Sequence, residues 1–249
     1  MVVAAATWSC QGARPAEPGQ ASAQDVSGRG ADLSGLWQGG GPIADIAQGL
    51  PAGETIPILS AAKAIMDARQ SKDDPQASCL PSGVPRVAPY PWRIVQTPTH
   101  IFFLFEANIH SYRQIFMDGR PHPPAPDLDP TWYGHSIGRW EGATLVVDTV
   151  GFNDRFWFDF KGHPHTEQLH VVERYTRTTP TTLVNEITID DPGAYSRPFT
   201  VRFTAEAAPP GDDLQEYICN ENNQDVPHLQ GPTAAPGDPE RALGTLGRR

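Results

Sequence analysis

The run HSIGRWEGATLVVDTVGF, residues 135–152, decides how the chain is read. Its flanks, HSIGRW and TLVVDTVGF, carry branched and aromatic residues that suit a pleated strand. Glu141 and Gly142 lie between them, and glycine supplies the backbone freedom that a tight reversal needs. The stretch therefore predicts a β-hairpin, and its neighbours repeat the pattern. WRIVQT and HIFFLFE flank Pro98 as a second hairpin, and IHSYRQIFM ends at the turn signal Asp118-Gly119. LHVVERYTR, TLVNEITID, FTVRFTAEA and LQEYICN follow on the C-terminal side. Roughly nine or ten short strands result, paired most simply in sequence order and antiparallel. So many strands leave exposed edges unless the sheet closes. An all-β, antiparallel up-and-down barrel is the expectation, with a two-sheet sandwich as the alternative.

Composition agrees. The chain has 249 residues with 26 Pro, 23 Gly and only 19% charged residues, which disfavours a helical bundle or coiled coil. Net charge is -10 and the basic residues are scattered, which argues against nucleic acid or an anionic membrane surface as partner. No apolar run approaches the roughly 20 residues of a membrane-spanning helix. One short helix is expected near the start of the fold, SAAKAIMDARQ, capped by Ser60 with Ala64, Ile65 and Ala68 on one face. The chain divides into a signal or lipoprotein segment with linker (1–30), a barrel domain (31–223) and a Pro-, Gly- and Ala-rich tail (224–249).

MVVAAATWSC is apolar up to Cys10, and the first charge is Arg14. It reads as the end of a secretory h-region. TWSC loosely resembles a lipoprotein box, which makes Cys10 a possible lipid anchor; ASA at Ala21 to Ala23 fits a cleavage site instead. An apolar cytosolic start is the plain alternative. The expectation is export to the periplasm or beyond, or to the outer membrane as a lipoprotein. In an oxidising compartment Cys79 and Cys219 can pair, leaving Cys10 as the odd cysteine.

Three of the eight histidines fall in GHPHTEQLH, residues 162–170. In extended chain His163 and His165 project to one side, and such a pair can bind one metal ion through two ring nitrogens. His170 or His135, the latter just after the Pro-rich loop 121–134, would supply a third ligand. Three histidines and an open position suit a catalytic divalent metal, zinc above all, whose bound water becomes a nucleophile. An exposed polar loop rich in imidazole is the plain alternative, and His110 and His122 are weaker candidates. Asp154 can orient a histidine or act as general base, or cap its own Asn-Asp turn. Arg139 or Arg174 can stabilise developing negative charge, although Arg174 also reads as a cross-strand partner of Glu186. Asp148 reads as an exposed strand position. Trp132, Tyr133, Trp157 and Tyr112 are candidate substrate contacts or ordinary core.

Two resemblances add to this. SGLWQG, with Gly35 and Trp37, resembles the Gly-x-Trp start of lipocalin-like (calycin) barrels. The segments CLPSGVPR, PYPWRIVQTP, RQIFMDGRPHP, GHSIGRWEGATLVVDTVGFND, GHPHTEQLHVVERY, IDDPGAYSRPFT and EYICNEN resemble a widespread family of exported bacterial proteins. Ala143 departs from that family, which usually has Asp after the WEG turn. The resemblance implies an exported, barrel-like protein. The leading functional expectation is a metal-dependent hydrolase of a small, partly apolar ester or phosphoester. The alternatives are a lipocalin-like carrier of a small hydrophobic ligand and a metal-free lyase or isomerase using His and Asp as acid and base.

Overall fold

The computed structural model describes residues 30–86, 90–106 and 111–221. Cys10, Ala21 to Ala23, His110 and His228 lie outside the described residues. Nine strands close into a single barrel in sequence order. They are β1 (Gly35–Gly39), β2 (Trp92–Gln96), β3 (His100–Phe105), β4 (Ser111–Phe116) and β5 (His135–Glu141), followed by β6 (Thr144–Val150), β7 (His170–Thr179), β8 (Thr182–Asp190) and β9 (Phe199–Ala207). β9 pairs back onto β1, so neither is left as an edge. The β5–β6 hairpin forms as its sequence predicts: Glu141 faces Thr144 across a two-residue turn, and Gly142 takes φ +61°.

One pairing departs from sequential antiparallel wiring. β4 and β5 run parallel, with Ile115 beside Ser136 and Phe116 beside Ile137. Parallel neighbours need a crossover that returns the chain to the same end of the sheet. Residues 117–134 provide it. Their prolines keep them out of the ladder, and the segment lies along the barrel, with Thr131 bridging Phe152 and Leu128 seated over Gly151.

Alternation sorts inside from outside. Val171, Glu173 and Tyr175 of β7 are buried, whereas His170, Val172 and Arg174 are half-buried on the outer face. The lumen is stratified. Toward one end Trp37, Trp92, Ile101, Phe103, Ile115, Leu145 and Tyr175 pack together. Toward the other, Phe152, Phe156, Phe158, Val171, Ile187, Tyr195 and Val201 do so. Each such fully buried side chain contributes roughly 1.5–3 kcal/mol. Between the layers lies a polar belt of Arg113, Ser136, Thr149, Glu173 and Asn185. Arg113 donates to Ser136 Oγ at 3.1 Å and Thr149 Oγ1 at 2.8 Å and pairs with Glu173, while Tyr175 donates to Glu173 at 2.6 Å. Burial opposes the Arg113 charge, but Glu173 and Tyr175 outweigh it and hold the guanidinium above its ordinary pKa.

Outside the barrel, α1 (Ser60–Ala68) is accompanied by four short 3-10 turns among the described residues. Ser60 is the first helical residue and Leu59 holds the cap position without a side-chain bond. The expected inner face is also corrected: Ala62 is the buried residue and Ile65 is 55% exposed, because the helix rests on its first turn, where Leu59 bonds Ala194. LQEYICN is irregular rather than a strand. It is tied to the barrel by Arg93–Asp213, by Gln215 N donating to Glu106, and by the disulfide Cys79–Cys219.

Candidate functional site

The end of the barrel where β5 and β7 begin and β6 finishes gathers most of the ionisable chemistry. On its outer face Asp148 of β6 stands opposite Ile137 of β5 and Val172 of β7. His135 and His170 are therefore each one diagonal step from Asp148 on the flanking strands, within reach of a long side chain. The crossover brings a third imidazole, His122, over the same face. His170 Nε2 lies 2.8 Å and His122 Nε2 3.1 Å from Asp148 Oδ1, and His122 Nδ1 lies 2.8 Å from His135 Nδ1. The result is one hydrogen-bonded chain, His135–His122–Asp148–His170, partly open to solvent, with Asp148 28% and His170 39% exposed.

Proton placement follows from the contacts. As a carboxylate Asp148 accepts from both Nε2–H groups. A neutral His122 then presents its Nδ1 lone pair to the Nδ1–H of His135. Burial, then the neighbouring His122 and Arg120, lowers the pKa of His135 and favours its neutral form. Phe116 stacks on His135 at 5.1 Å between centroids, and the Arg120 guanidinium lies 3.9 Å from the Phe116 ring centroid, which props the imidazole from behind.

A second cluster lies within the loop that plugs this end. Asp159 accepts from Ile46 N at 2.6 Å, Gly162 N at 2.9 Å, His163 N at 3.1 Å and His163 Nδ1 at 2.7 Å. Burial works against ionisation of Asp159, but His163 and these N–H groups hold its carboxyl below the usual range. Asp45, bonded to Lys161 at 3.0 Å, stands beside the pair. Among the described residues, Asp45, Asp159 and His163 are the one group of three whose ligand atoms lie within 4.8 Å of one another, the span a metal ion needs. Four N–H donors already occupy the lone pairs of Asp159, so the donor set fits a cation poorly. His165 stands apart from both clusters: it is buried, lies against Phe156 and Phe158 with centroids at 3.8 and 5.1 Å, and its Nε2 has no hydrogen-bond partner among the described residues.

The histidines expected to share one ion are thus divided. His163 sits with Asp159, His165 between aromatic rings, and His135 and His170 at the outer rim; no group of ligand atoms combines them among the described residues. Asp154 is exposed beside the Asn153 turn; the carboxylates that orient histidines are Asp148 and Asp159. Arg139 and Arg174 both bond Glu141 at 2.8 Å, bending away from the rim cluster. The aromatic candidates scatter. Tyr112 is 60% exposed, Trp132 and Tyr133 pack on the plug, and Trp157 is buried beneath Arg69. The residues that sequence reasoning undervalued are His122 and Asp148. Their signal was present in the length of the 121–134 loop and in a lone carboxylate within an apolar strand.

No family model matches this chain, and neither does any curated protein or solved structure in the comparisons made.

Proposed function

We propose that the outer rim cluster is a proton-transfer site and that the protein is an exported acid–base catalyst acting on a small substrate, hydrolysis of an ester being the reaction class that suits it best. One observation carries the reading: Asp148 Oδ1 lies within hydrogen-bond distance of two imidazoles, and His135 extends the chain through His122. His135, kept neutral by its surroundings, acts as the base that activates water. His122, oriented by Asp148, accepts from His135 Nδ1–H and so holds His135 in the tautomer whose Nε2 lone pair is free to take the proton. The His135 imidazolium returns that proton to the leaving group, while His170 donates to Asp148 and holds the carboxylate in place. The disulfide Cys79–Cys219 supports export, since such bonds persist in oxidising compartments. A lumen filled by Trp37, Trp92, Phe103, Tyr175 and the Arg113–Glu173 pair favours a site outside the barrel over a carrier with a ligand within it.

A metal-dependent hydrolase is the second reading, favoured by the proximity of Asp45, Asp159 and His163. Turnover of nitrophenyl esters and phosphoesters by the wild type, Asp148→Asn and His135→Gln, each with and without chelator, separates the two. The rim reading expects chelator-insensitive activity that falls about 10²–10⁴-fold in both variants. Full activity in Asp148→Asn sinks it. Loss on chelation with recovery on zinc selects the metal. Independently of turnover, imidazole ¹⁵N spectra should show His122 and His170 as Nε2–H tautomers in the wild type.

A further inference from the structure

We propose that Arg69, lying over Trp157 beside the His163 loop, forms a binding site for a small oxyanion, the carboxylate or phosphate group of a ligand, at the plugged end of the barrel. This site is separate from the rim cluster and does not depend on the function assigned to it.

Arg69 is the residue at which α1 ends. Its guanidinium carbon lies 4.7 Å from the Trp157 ring centroid, and Nη1 donates to the Gly162 carbonyl at 2.8 Å. The indole is buried and fixes the plane of the guanidinium; the carbonyl fixes one of its edges. That carbonyl is the one hydrogen-bond partner of the Arg69 side chain among the described residues, and the guanidinium forms no salt bridge there. A guanidinium carries five N–H donors, so most of the fork is left for a ligand. The neighbouring acids are already engaged. Asp74 is held by Arg86 through bonds of 3.1 and 2.8 Å, and Asp159 by His163 and three backbone N–H groups.

The charge is also uncomfortable where it sits. Burial lowers the Arg69 pKa to about 10, and the distant pull of Asp74, Tyr195 and Asp159 does not restore it. An incoming oxyanion would supply the missing counter-charge with two parallel N–H···O bonds, the arrangement for which a planar guanidinium is built. His163 follows Gly162 directly, so its Cα lies only about 3.8 Å from that of the residue Arg69 grips. Its Nδ1 is taken by Asp159, while Nε2 has no hydrogen-bond partner among the described residues, on a side chain that is 4% exposed. On a neutral ring that nitrogen carries a lone pair, so it can accept from a protonated phosphate oxygen and otherwise serves as a nearby reporter of binding.

The test titrates the full chain with inorganic phosphate and with acetate at constant ionic strength, using chloride as the control. Binding is read by calorimetry and by the ¹⁵N shift of His163. The wild type is expected to bind one of the two saturably and to move the His163 Nε2 resonance, leaving His170 in place. Arg69→Gln should weaken binding about tenfold or more, and Arg69→Lys, which keeps the charge but loses the fork, should weaken it as well. Arg197→Gln, at an exposed arginine elsewhere, should bind as the wild type does. If Arg69→Gln does not fold, Arg69→Lys and the wild-type spectra decide. Absence of saturable binding of either anion to the wild type, an unmoved His163, or undiminished affinity in the folded Arg69 variants overturns the site.

Discussion

Nδ1 of His122 and Nδ1 of His135 face each other at 2.8 Å, so one ring must present a proton and the other a lone pair. Adding a proton to His135 therefore disturbs both rings. Burial is the largest contribution to its lowered pKa, followed by His122 and then Arg120. Replacing His122 by Asn removes the neighbouring imidazole that disfavours a proton on His135, and the titration midpoint of His135, followed by NMR, should rise. Arg120→Gln should raise it by less. A midpoint unchanged in both variants would show that the rings do not communicate.

Acid stability should be governed in part by His165. Burial lowers its pKa from 6.5 to about 4, and Arg69 adds to the lowering, while the Thr166 and Phe156 backbone and Asp191 oppose it. The folded state favours the neutral ring and the unfolded chain takes up the proton more readily. The stability tied to the neutral ring is present above pH 6.5 and is lost as pH falls toward 4, on the order of 3 kcal/mol at the limit. Denaturation by urea across this range should show the slope in the wild type and a weaker one in His165→Phe. Equal slopes would assign the acid sensitivity elsewhere.

The buried pair Arg113–Glu173 should respond asymmetrically to mutation. Glu173→Gln leaves a buried guanidinium without its counter-charge and should cost about 3–5 kcal/mol. Arg113→Met combined with Glu173→Leu removes both charges and should recover much of that loss. A double-mutant cycle read from chemical denaturation gives the coupling; simple additivity of the single losses would contradict the proposed pairing.

Reducing Cys79–Cys219 should lower stability by about 4–5 kcal/mol if restriction of the unfolded chain dominates, because the bridge spans 140 residues. Thermal melts of the reduced protein and of a Cys79→Ala/Cys219→Ala variant should agree. A melting temperature equal to that of the oxidised protein would mean that the bridge merely ties down the C-terminal segment.

Much of the architecture was legible because alternation and turn chemistry are local. The β5–β6 hairpin follows from two β-rich runs around Gly142, and the strands β7, β8 and β9 from their own side chains. The misreadings concern contacts made at a distance. LQEYICN has a strand-like composition, yet its backbone pairs with no ladder and is anchored through Cys219. His163 and His165 share a sequence spacing, but one bonds Asp159 and the other enters an aromatic stack, because the plug is irregular rather than extended.

The sequence by itself determined that this is an all-β chain of short strands, since the period of its side chains is written residue by residue; closure into a barrel rather than a two-sheet sandwich rests on the pairing of β9 with β1. Only the tertiary structure decided which chemistry meets. The parallel β4–β5 step sends the crossover back along the barrel and lays His122 beside His135 and Asp148. Register places His135 and His170 on either side of Asp148, and Glu173 faces inward because Arg113 waits there. Those meetings depend on pairing between strands distant in sequence, whose energy comes from surfaces that exist only once the sheet has closed.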